Sequence, residues 1–368
     1  MNCIAEYLNN NHAYSDKTAI VFFDGLDSLT DKHRSVSFNE LTKKVSMAQR
    51  CYGQYKLSKG DTILLFEKPT PDLYACIIGA LGMGLKILLI EPWMPSYKFQ
   101  EIFKKYKPKA VVAGFLGKLI LKNLKKIEGV SYFSSGEIND FESGNITIEK
   151  MSKDDEGIIS FTSGTTGEPK GVCRNHGYLI DQRSVLKKYL KYKNLEKLDL
   201  TVFTNLVMLN LILGKGSLVL DSSWKSSIVK QLDSLPDRFE IDSLATAPKF
   251  LEIVLDNTKK LKLDNVHVGG ALGDIHLYEK AIKRWPHAEI HHVYGSTEAE
   301  PVAFCDMKQA IAKSKNKDFF QTLFLGQPIE EIKIKSKNNS LWVSGKHVSP
   351  MYLGNETANR NNKEKDSD

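Results

Sequence analysis

The chain has 368 residues, 42% of them hydrophobic and 26% charged, with a net charge of +7 from 51 Lys and Arg against 44 Asp and Glu. This is the composition of a globular protein with room for two or three subdomains, and it excludes a collagen-like or wholly disordered chain. The lysine-rich pieces, such as Lys187-Lys-Tyr-Leu-Lys191, keep apolar residues at helical spacing, so they read as solvated helix faces and not as a nucleic-acid patch.

Residues 19–23 read as a first strand, and Val36-Ser-Phe38 leads into a helix from Asn39, a good N-cap residue. A turn at Lys59-Gly-Asp61 precedes a strand over 62–66. A helix follows from Pro71 to Leu81, a buried strand from Leu85 to Ile90, a helix from Lys98 to Tyr106 closed by Pro108, and a strand over 110–113. Alternation of this kind predicts a parallel sheet with helices on its faces. Residues 128–153 are polar and rich in Gly, Asn and Ser, and read as a connection. A second αβ unit starts near Gly157, contains a helix after Tyr178 and the apolar stretch Thr201 to Leu220, and alternates to about Phe304. Glu356 to Asp368 reads as a disordered polar tail.

The five cysteines, at positions 3, 51, 76, 173 and 305, are odd in number and lack C-x-x-C spacing. They predict reduced thiols in a cytoplasmic setting, with Cys173 a small packed one. The first ten residues lack the basic start and apolar core of a signal peptide. The longest apolar run, Ala75 to Ile90, is broken by glycines and Lys86, and is too short to span a bilayer.

Three stretches carry chemistry. The first is Ser160-Phe-Thr-Ser-Gly-Thr-Thr-Gly-Glu-Pro-Lys-Gly-Val172, which follows the apolar strand Gly157–Phe161. Its glycines leave backbone N–H groups free to face an anion, Thr162, Ser163, Thr165 and Thr166 add hydroxyl donors, and Lys170 adds a positive charge. A polyphosphate suits such a loop; an exposed Ser/Thr/Gly turn is the plainer alternative. Pro169 before Lys170 and Gly171 after it disfavour the ordinary P-loop, which needs Gly before the Lys and Ser or Thr after it. The second stretch, Val266-His-Val-Gly-Gly-Ala-Leu272, is a strand running into a tight turn. The third, His291-His-Val-Tyr-Gly-Ser-Thr-Glu298, brings an aromatic ring that can stack on a base, hydroxyls, and a carboxylate of the oxygen-donor kind that Mg²⁺ prefers. His291 and His292 are adjacent on a strand, so they point to opposite faces and do not share a metal.

Together these stretches resemble the signature motifs of the adenylate-forming (AMP-binding) superfamily, which includes acyl-CoA synthetases, luciferases and the adenylation domains of peptide synthetases. The phosphate loop and Tyr294-Gly-Ser-Thr-Glu298 match at their fixed positions. The resemblance covers nearly the whole chain and is nearest, in the style of Glu298-Ala-Glu-Pro-Val-Ala303 and Tyr352-Leu-Gly-Asn-Glu-Thr, to fatty-acyl-CoA ligases and olefin-pathway β-lactone synthetases. It implies an N-terminal domain over 1–355 with subdivisions near 1–150, 151–320 and 321–355. The fold class is then α/β, two αβ subdomains with mainly parallel sheets plus a small β-rich subdomain carrying Leu325–Ile329, Leu341–Gly345 and Tyr352–Asn355.

The resemblance also implies roles. Thr162, Ser163, Gly164, Thr165, Thr166, Gly167 and Lys170 would cradle the far phosphates of ATP. Gly269, Gly270 and Ala271 would lie beneath the adenine, and Tyr294, Gly295, Ser296 and Thr297 would complete the nucleotide site. Glu298 would hold Mg²⁺, and catalysis would rest on Lys170, Thr297 and Glu298. His176 sits where many members have a histidine near a helix start, and reads as structural. Phe203, Asn205 and Asn210 are the candidates for the acid pocket. The apolar stretch after them fits a hydrophobic acid, and equally a buried core strand. The implied reaction joins a carboxylic acid to AMP and releases pyrophosphate, with CoA or another group as the later acceptor. The family's later Gly-Asp motif and its C-terminal domain with a catalytic lysine are not found within residues 1–368. The chain alone is therefore expected to turn over slowly, as one piece of a longer or split enzyme. The alternative is a non-catalytic module that binds ATP or an acyl-adenylate.

Overall fold

The computed structural model describes residues 1–10, 15–31, 34–90, 94, 96–114, 129–162, 170–221, 223–315 and 325–364. The chain folds into two compact units. One comprises Met1–Asn9, Glu40–Asp181 and His347–Asp368, and the other Asn10–Asn39 and Gln182–Lys346. Neither is a continuous stretch, so a cut near residue 150 falls inside the first unit and one near 320 inside the second.

The first unit is built on a six-stranded sheet, in the order Ser131–Phe133, Ala110–Ala113, Thr62–Phe66, Lys86–Leu89, Glu156–Thr162 and Lys170–Asn175. The first five strands are parallel and the last is antiparallel to its neighbour. Runs such as Ile63-Leu-Leu65 are buried on both faces, as parallel strands covered by helices must be. Helix Ser96–Tyr106 lays Phe99, Ile102 and Phe103 on one face, against Leu64, Leu88, Val111 and Ile159. Helix Pro71–Gly82 begins with Thr70 as N-cap, whose hydroxyl accepts from Leu73 N–H at 3.4 Å, and with proline in the first turn, where its missing N–H costs nothing. It approaches helix Phe38–Gln54 closely, since a Cβ on Gly79 would stand 3.2 Å from Ala48 Cβ.

Two readings of this unit change. The polar connection 128–153 contributes a strand, Ser131–Phe133, and a short 3-10 helix, Ser135–Asp140, closed by a Ser134/Glu137 capping box. The polar tail forms a helix over Glu356–Asn362, because Asn355 caps it by accepting from Ala358 N–H at 2.9 Å and Ala358 buries against Val172 and Tyr352. A local cap and one small apolar contact outweigh a polar composition here. Residues 365–368 lie outside the described residues.

The second unit holds a nine-stranded sheet. Its order is Gln327–Pro328, Ala299–Asp306, Glu289–Ser296, Asn265–Gly269, Ile241–Thr246, Leu198–Thr201, Ser217–Leu220, Thr18–Phe23 and Ser35–Ser37. Its interior run from Glu289–Ser296 to Thr18–Phe23 is parallel throughout. The apolar stretch after Thr201 is not a strand at first but the helix Thr204–Leu213, followed by the strand Ser217–Leu220. Gly214 makes the break, at φ +73, the left-handed conformation that ends helices. The small β element is a two-stranded antiparallel sheet, Lys333–Lys337 with Ser340–Ser344, turned by Asn338 and Asn339 at φ +51 and +56. Gln327–Pro328 instead extends the nine-stranded sheet, and Tyr352 bridges Val172 in the first unit. Among the described residues no helix is long and apolar enough to cross a membrane.

A buried polar network sits between three strands of the second unit. Asp199 accepts from Asn210 Nδ2 at 2.9 Å, Ser243 Oγ at 2.7 Å and Tyr192 Oη at 3.3 Å, and Asn210 also donates to Ser217 Oγ at 3.0 Å. Burial raises the Asp199 carboxyl above the usual carboxylate range, and these donors oppose it. Removing a donor leaves a buried acceptor unmatched, which costs more than the bond itself contributes. Asn210→Ala is expected to lower stability by about 2 to 3 kcal/mol. Urea unfolding checks this; a loss below about 0.5 kcal/mol would show the network to be idle.

Candidate functional site

In the second unit, parallel pairing sets Thr201 opposite Ala245, Thr246 opposite Val268, and Gly269 opposite Val293. The carboxyl ends of four strands therefore fall along one edge, the usual place for a ligand in an open α/β sheet. After Gly269 the chain turns at Gly270, with φ +76, where an L side chain would be strained. A Cβ there would stand 3.5 Å from the Phe203 ring, and one on Gly269 would stand 2.9 Å from Val293 O. The two glycines leave a bare backbone ledge beside an aromatic ring, and Gly270, Ala271 and Leu272 on it are exposed. The turn ends at Asp274, which accepts from His276 N–H at 2.7 Å and caps helix Ile275–Arg284. Tyr278 of that helix reaches Nδ1 of His292 at 2.7 Å and so ties the helix to the next strand.

Ser296 pairs with Ala299, so Thr297 and Glu298 form the two-residue turn of a hairpin between Glu289–Ser296 and Ala299–Asp306. Both are half-buried, as is Tyr294. Gly295 has little room for a side chain, since a Cβ would stand 2.9 Å from Ala299 O. In the same unit Asn205, in the first turn of helix Thr204–Leu213, donates to Glu300 Oε2 at 3.0 Å. Sequence reasoning passed over Glu300; its position two residues beyond Glu298, on the strand leaving the turn, was the available signal. Phe203 and Asn205 thus join the ledge and the hairpin, whereas Asn210 lies in the buried network described above. His291 stacks on His267, with ring centroids 5.6 Å apart, while His292 bonds to Tyr278. Among the described residues no three His, Cys, Asp or Glu side chains are grouped to hold a metal.

In the first unit, Thr162 and Lys170 are cross-strand partners at the end of the Glu156–Thr162/Lys170–Asn175 hairpin. Ser163, Gly164, Thr165, Thr166 and Gly167 lie outside the described residues. The Lys170 ammonium stands over the Tyr352 ring, 5.6 Å from its centroid. Behind the hairpin His176 is fully buried at the start of helix His176–Leu190 and accepts from Cys3 N–H at 3.1 Å through Nδ1. Cys173 is buried too, and burial pushes its thiol up to about 12, which keeps it protonated and inert.

Two αβ units with mainly parallel sheets, a small antiparallel sheet, and these motifs at strand ends define the N-terminal domain of adenylate-forming enzymes. The chain belongs to the AMP-binding enzyme family, whose profile matches residues 8–353. It is 23% identical over 371 residues to a D-alanine--D-alanyl carrier protein ligase of Staphylococcus aureus, covering 96% of this chain and 71% of that one. It is also 23% identical to the L-2-aminoadipate reductase of Saccharomyces cerevisiae over 202 residues, 48% of this chain and 14% of the relative. The chain spans only a fifth or less of several such curated relatives, 6% of a Cochliobolus heterostrophus nonribosomal peptide synthetase among them. A long-chain-fatty-acid-CoA ligase from Archaeoglobus fulgidus shares the fold, with a TM-score of 0.81 at 17% identity over 98% of this chain and 78% of that one.

Three histidines in these two units are held neutral by burial: His176 and His292 are pushed down to about 4 and His267 to about 3. Each group's folded value lies below its unfolded one, so the unfolded chain binds more protons as pH falls through 6.5. Stability is therefore full above that pH and is lost on acidification towards 4. Each histidine is expected to cost up to about 2 kcal/mol between pH 7 and pH 5. Urea unfolding at both pH values checks this, and His292→Gln should show a smaller drop than the unaltered chain.

Proposed function

We propose that this chain contributes to ATP-dependent activation of a carboxylic acid as an acyl-adenylate, on the way to a thioester or related product. A carboxylate oxygen attacks the α-phosphorus of ATP, the bond from that phosphorus to the bridging oxygen of the β-phosphate breaks, and pyrophosphate leaves with the electron pair. The work of the protein in such a transfer is positioning and charge neutralisation. The observation that carries this reading is the gathering of the Gly269–Ala271 ledge, Phe203 and the Thr297–Glu298 turn at the carboxyl edge of one sheet, in a chain of the AMP-binding family.

The ledge suits a flat ring, because a side chain on Gly270 would close the gap beside Phe203. Tyr294, Gly295, Ser296 and Thr297 complete the nucleotide site in this reading, and Thr297 steadies the α-phosphate. Glu298 would hold Mg²⁺ through a hard oxygen ligand, and the ion would supply charge neutralisation at the phosphates. Thr162 to Gly167 and Lys170 serve the β- and γ-phosphates. Phe203 faces the acid, and the acceptor is CoA or another thiol. The setting is the cytoplasm.

For the acid itself, the apolar stretch that forms helix Thr204–Leu213 is what supports a fatty or other hydrophobic acid, and most of its side chains are packed into the core. A second reading is favoured by the Asn205–Glu300 pair: a carboxylate held by the amide two residues after Phe203 suits an acid that carries an amino group. Acid-dependent exchange of labelled pyrophosphate into ATP, run over fatty acids of several lengths and over amino acids, separates the two. MgATP binding without exchange for any acid would favour the non-catalytic alternative.

Calorimetry is expected to detect MgATP binding by the chain. Glu298→Gln keeps the side chain's size but removes its charge, and should weaken MgATP by about 10-fold, the scale of one charged contact, while sparing ATP measured without metal. Equal losses in both conditions would assign Glu298 to the fold instead.

A further inference from the structure

Tyr352 is fixed more firmly than a residue near a polar chain end needs to be. Its stretch forms an antiparallel bridge with Val172, in which Leu353 N–H donates to Gly171 O at 2.8 Å and Cys173 N–H to Met351 O at 3.1 Å. Asn359 of the helix Glu356–Asn362 closes a ring on it: Tyr352 N–H donates to Asn359 Oδ1 at 2.7 Å, and Asn359 Nδ2 donates to Tyr352 O at 2.9 Å. Ser349 Oγ donates to Cys173 O at 2.7 Å, and Tyr106 Oη donates to Leu353 O at 2.9 Å. All of these bonds lie in the first unit and pin the stretch to the strand that Lys170 begins.

On that strand Lys170 and Val172 point to the same face, because side chains alternate. Val172 packs under Tyr352 and Ala358, and the Lys170 ammonium lies 5.6 Å from the Tyr352 ring centroid, within reach of a cation–π attraction. The Lys363 ammonium stands 5.2 Å from the same centroid and donates to Ser349 O at 2.6 Å, so the ring is faced by two cations. Gly171 between them lacks a side chain because Tyr106 fills that space.

We propose that Tyr352 is a positioning residue, which holds the Lys170 ammonium at the mouth of the phosphate-loop hairpin for the far phosphates of the nucleotide. The inference rests on the nucleotide-binding reading above. A ring does this differently from a carboxylate. It attracts the cation through its quadrupole but neither neutralises it nor takes up its N–H donors, so charge and hydrogen bonds remain available to phosphate. It also restricts a long, rotamer-rich side chain before the ligand arrives, which reduces the ordering cost of binding.

Two measurements on the full chain test this. In the first, MgATP affinity is determined for the unaltered chain, Tyr352→Phe, Tyr352→Leu, Lys170→Ala and the double variant Lys170→Ala/Tyr352→Leu. Tyr352→Phe should stay within about 2-fold, and Tyr352→Leu should weaken binding by about 3- to 10-fold, the range of a cation–π contact. In the Lys170→Ala background Tyr352→Leu should add nothing, since the ring acts through the lysine. A full additional loss there would make Tyr352 a support of the fold and overturn the proposal. In the second, the ε-methylene resonance of Lys170 in ¹³C-lysine-labelled protein reports the ring directly. Its ring-current shift should persist in Tyr352→Phe and vanish in Tyr352→Leu, and no change in Tyr352→Leu overturns the proposal with or without ATP. Failure of the unaltered chain to bind MgATP would instead sink the nucleotide reading, while the resonance still decides whether the ring holds the lysine.

Discussion

Parallel hydrogen bonding imposes the constraint on which the second unit depends. Once Leu198–Thr201, Ile241–Thr246, Asn265–Gly269 and Glu289–Ser296 run in the same direction, their carboxyl ends must fall on one edge. The register then decides which residues meet there. A one-residue slip would exchange Val266 and Val268 with Asn265 and His267 between two buried faces, so the match of side chain to face fixes the register as firmly as the backbone does. The network around Asp199 adds directional bonds beneath that edge, where apolar packing alone would tolerate small displacements. The ledge at Gly270 and the turn at Thr297–Glu298 are consequences of this frame rather than independent inventions.

Much of the strand–helix alternation was legible because its signals are strong and local. Residues 63–66 and Ala110–Ala113 are unbroken apolar runs, and Pro71 announces the helix it starts. What sequence pattern missed turns on few-residue effects. Ser131–Phe133 is a three-residue strand in a polar stretch, too short for any periodicity to reveal, and it forms because a neighbouring strand offers a free edge. The helix Glu356–Asn362 is mostly polar and rests on one cap and one buried alanine. Thr204–Leu213 is apolar nearly all round, and such a segment reads alike as buried helix or strand until Gly214 is seen to end it.

The candidate site was legible where the motif itself sets the geometry. Gly269-Gly-Ala271 and Tyr294–Glu298 carry their turns in their own residues, so reading them needed no tertiary knowledge. Asn210 reads as a pocket residue from its place in the chain, yet its amide is committed to Asp199 and Ser217. Glu300 and Tyr352 were read only as parts of longer stretches, for the converse reason. Each matters through a partner distant in sequence, Asn205 for the one and Lys170 for the other, and only folding brings those partners together.

The interleaving of the two units has a consequence for how the chain is made. It passes from one unit to the other after Asn9, Asn39, Asp181 and Lys346. The strand Thr18–Phe23 is made well before its parallel partner, Ser217–Leu220. The strand Lys170–Asn175 likewise waits for Tyr352. Thr18–Phe23 has only Ser35–Ser37 to pair with locally, so its other edge waits for Ser217–Leu220, and the loop closed by that pairing is long, which slows the search. Until then one edge of Ala19-Ile-Val-Phe-Phe23, an uncharged β-forming segment, lacks its parallel partner. A delay between the making of one strand and of its parallel partner is built into this connectivity rather than into any weakness of the finished fold.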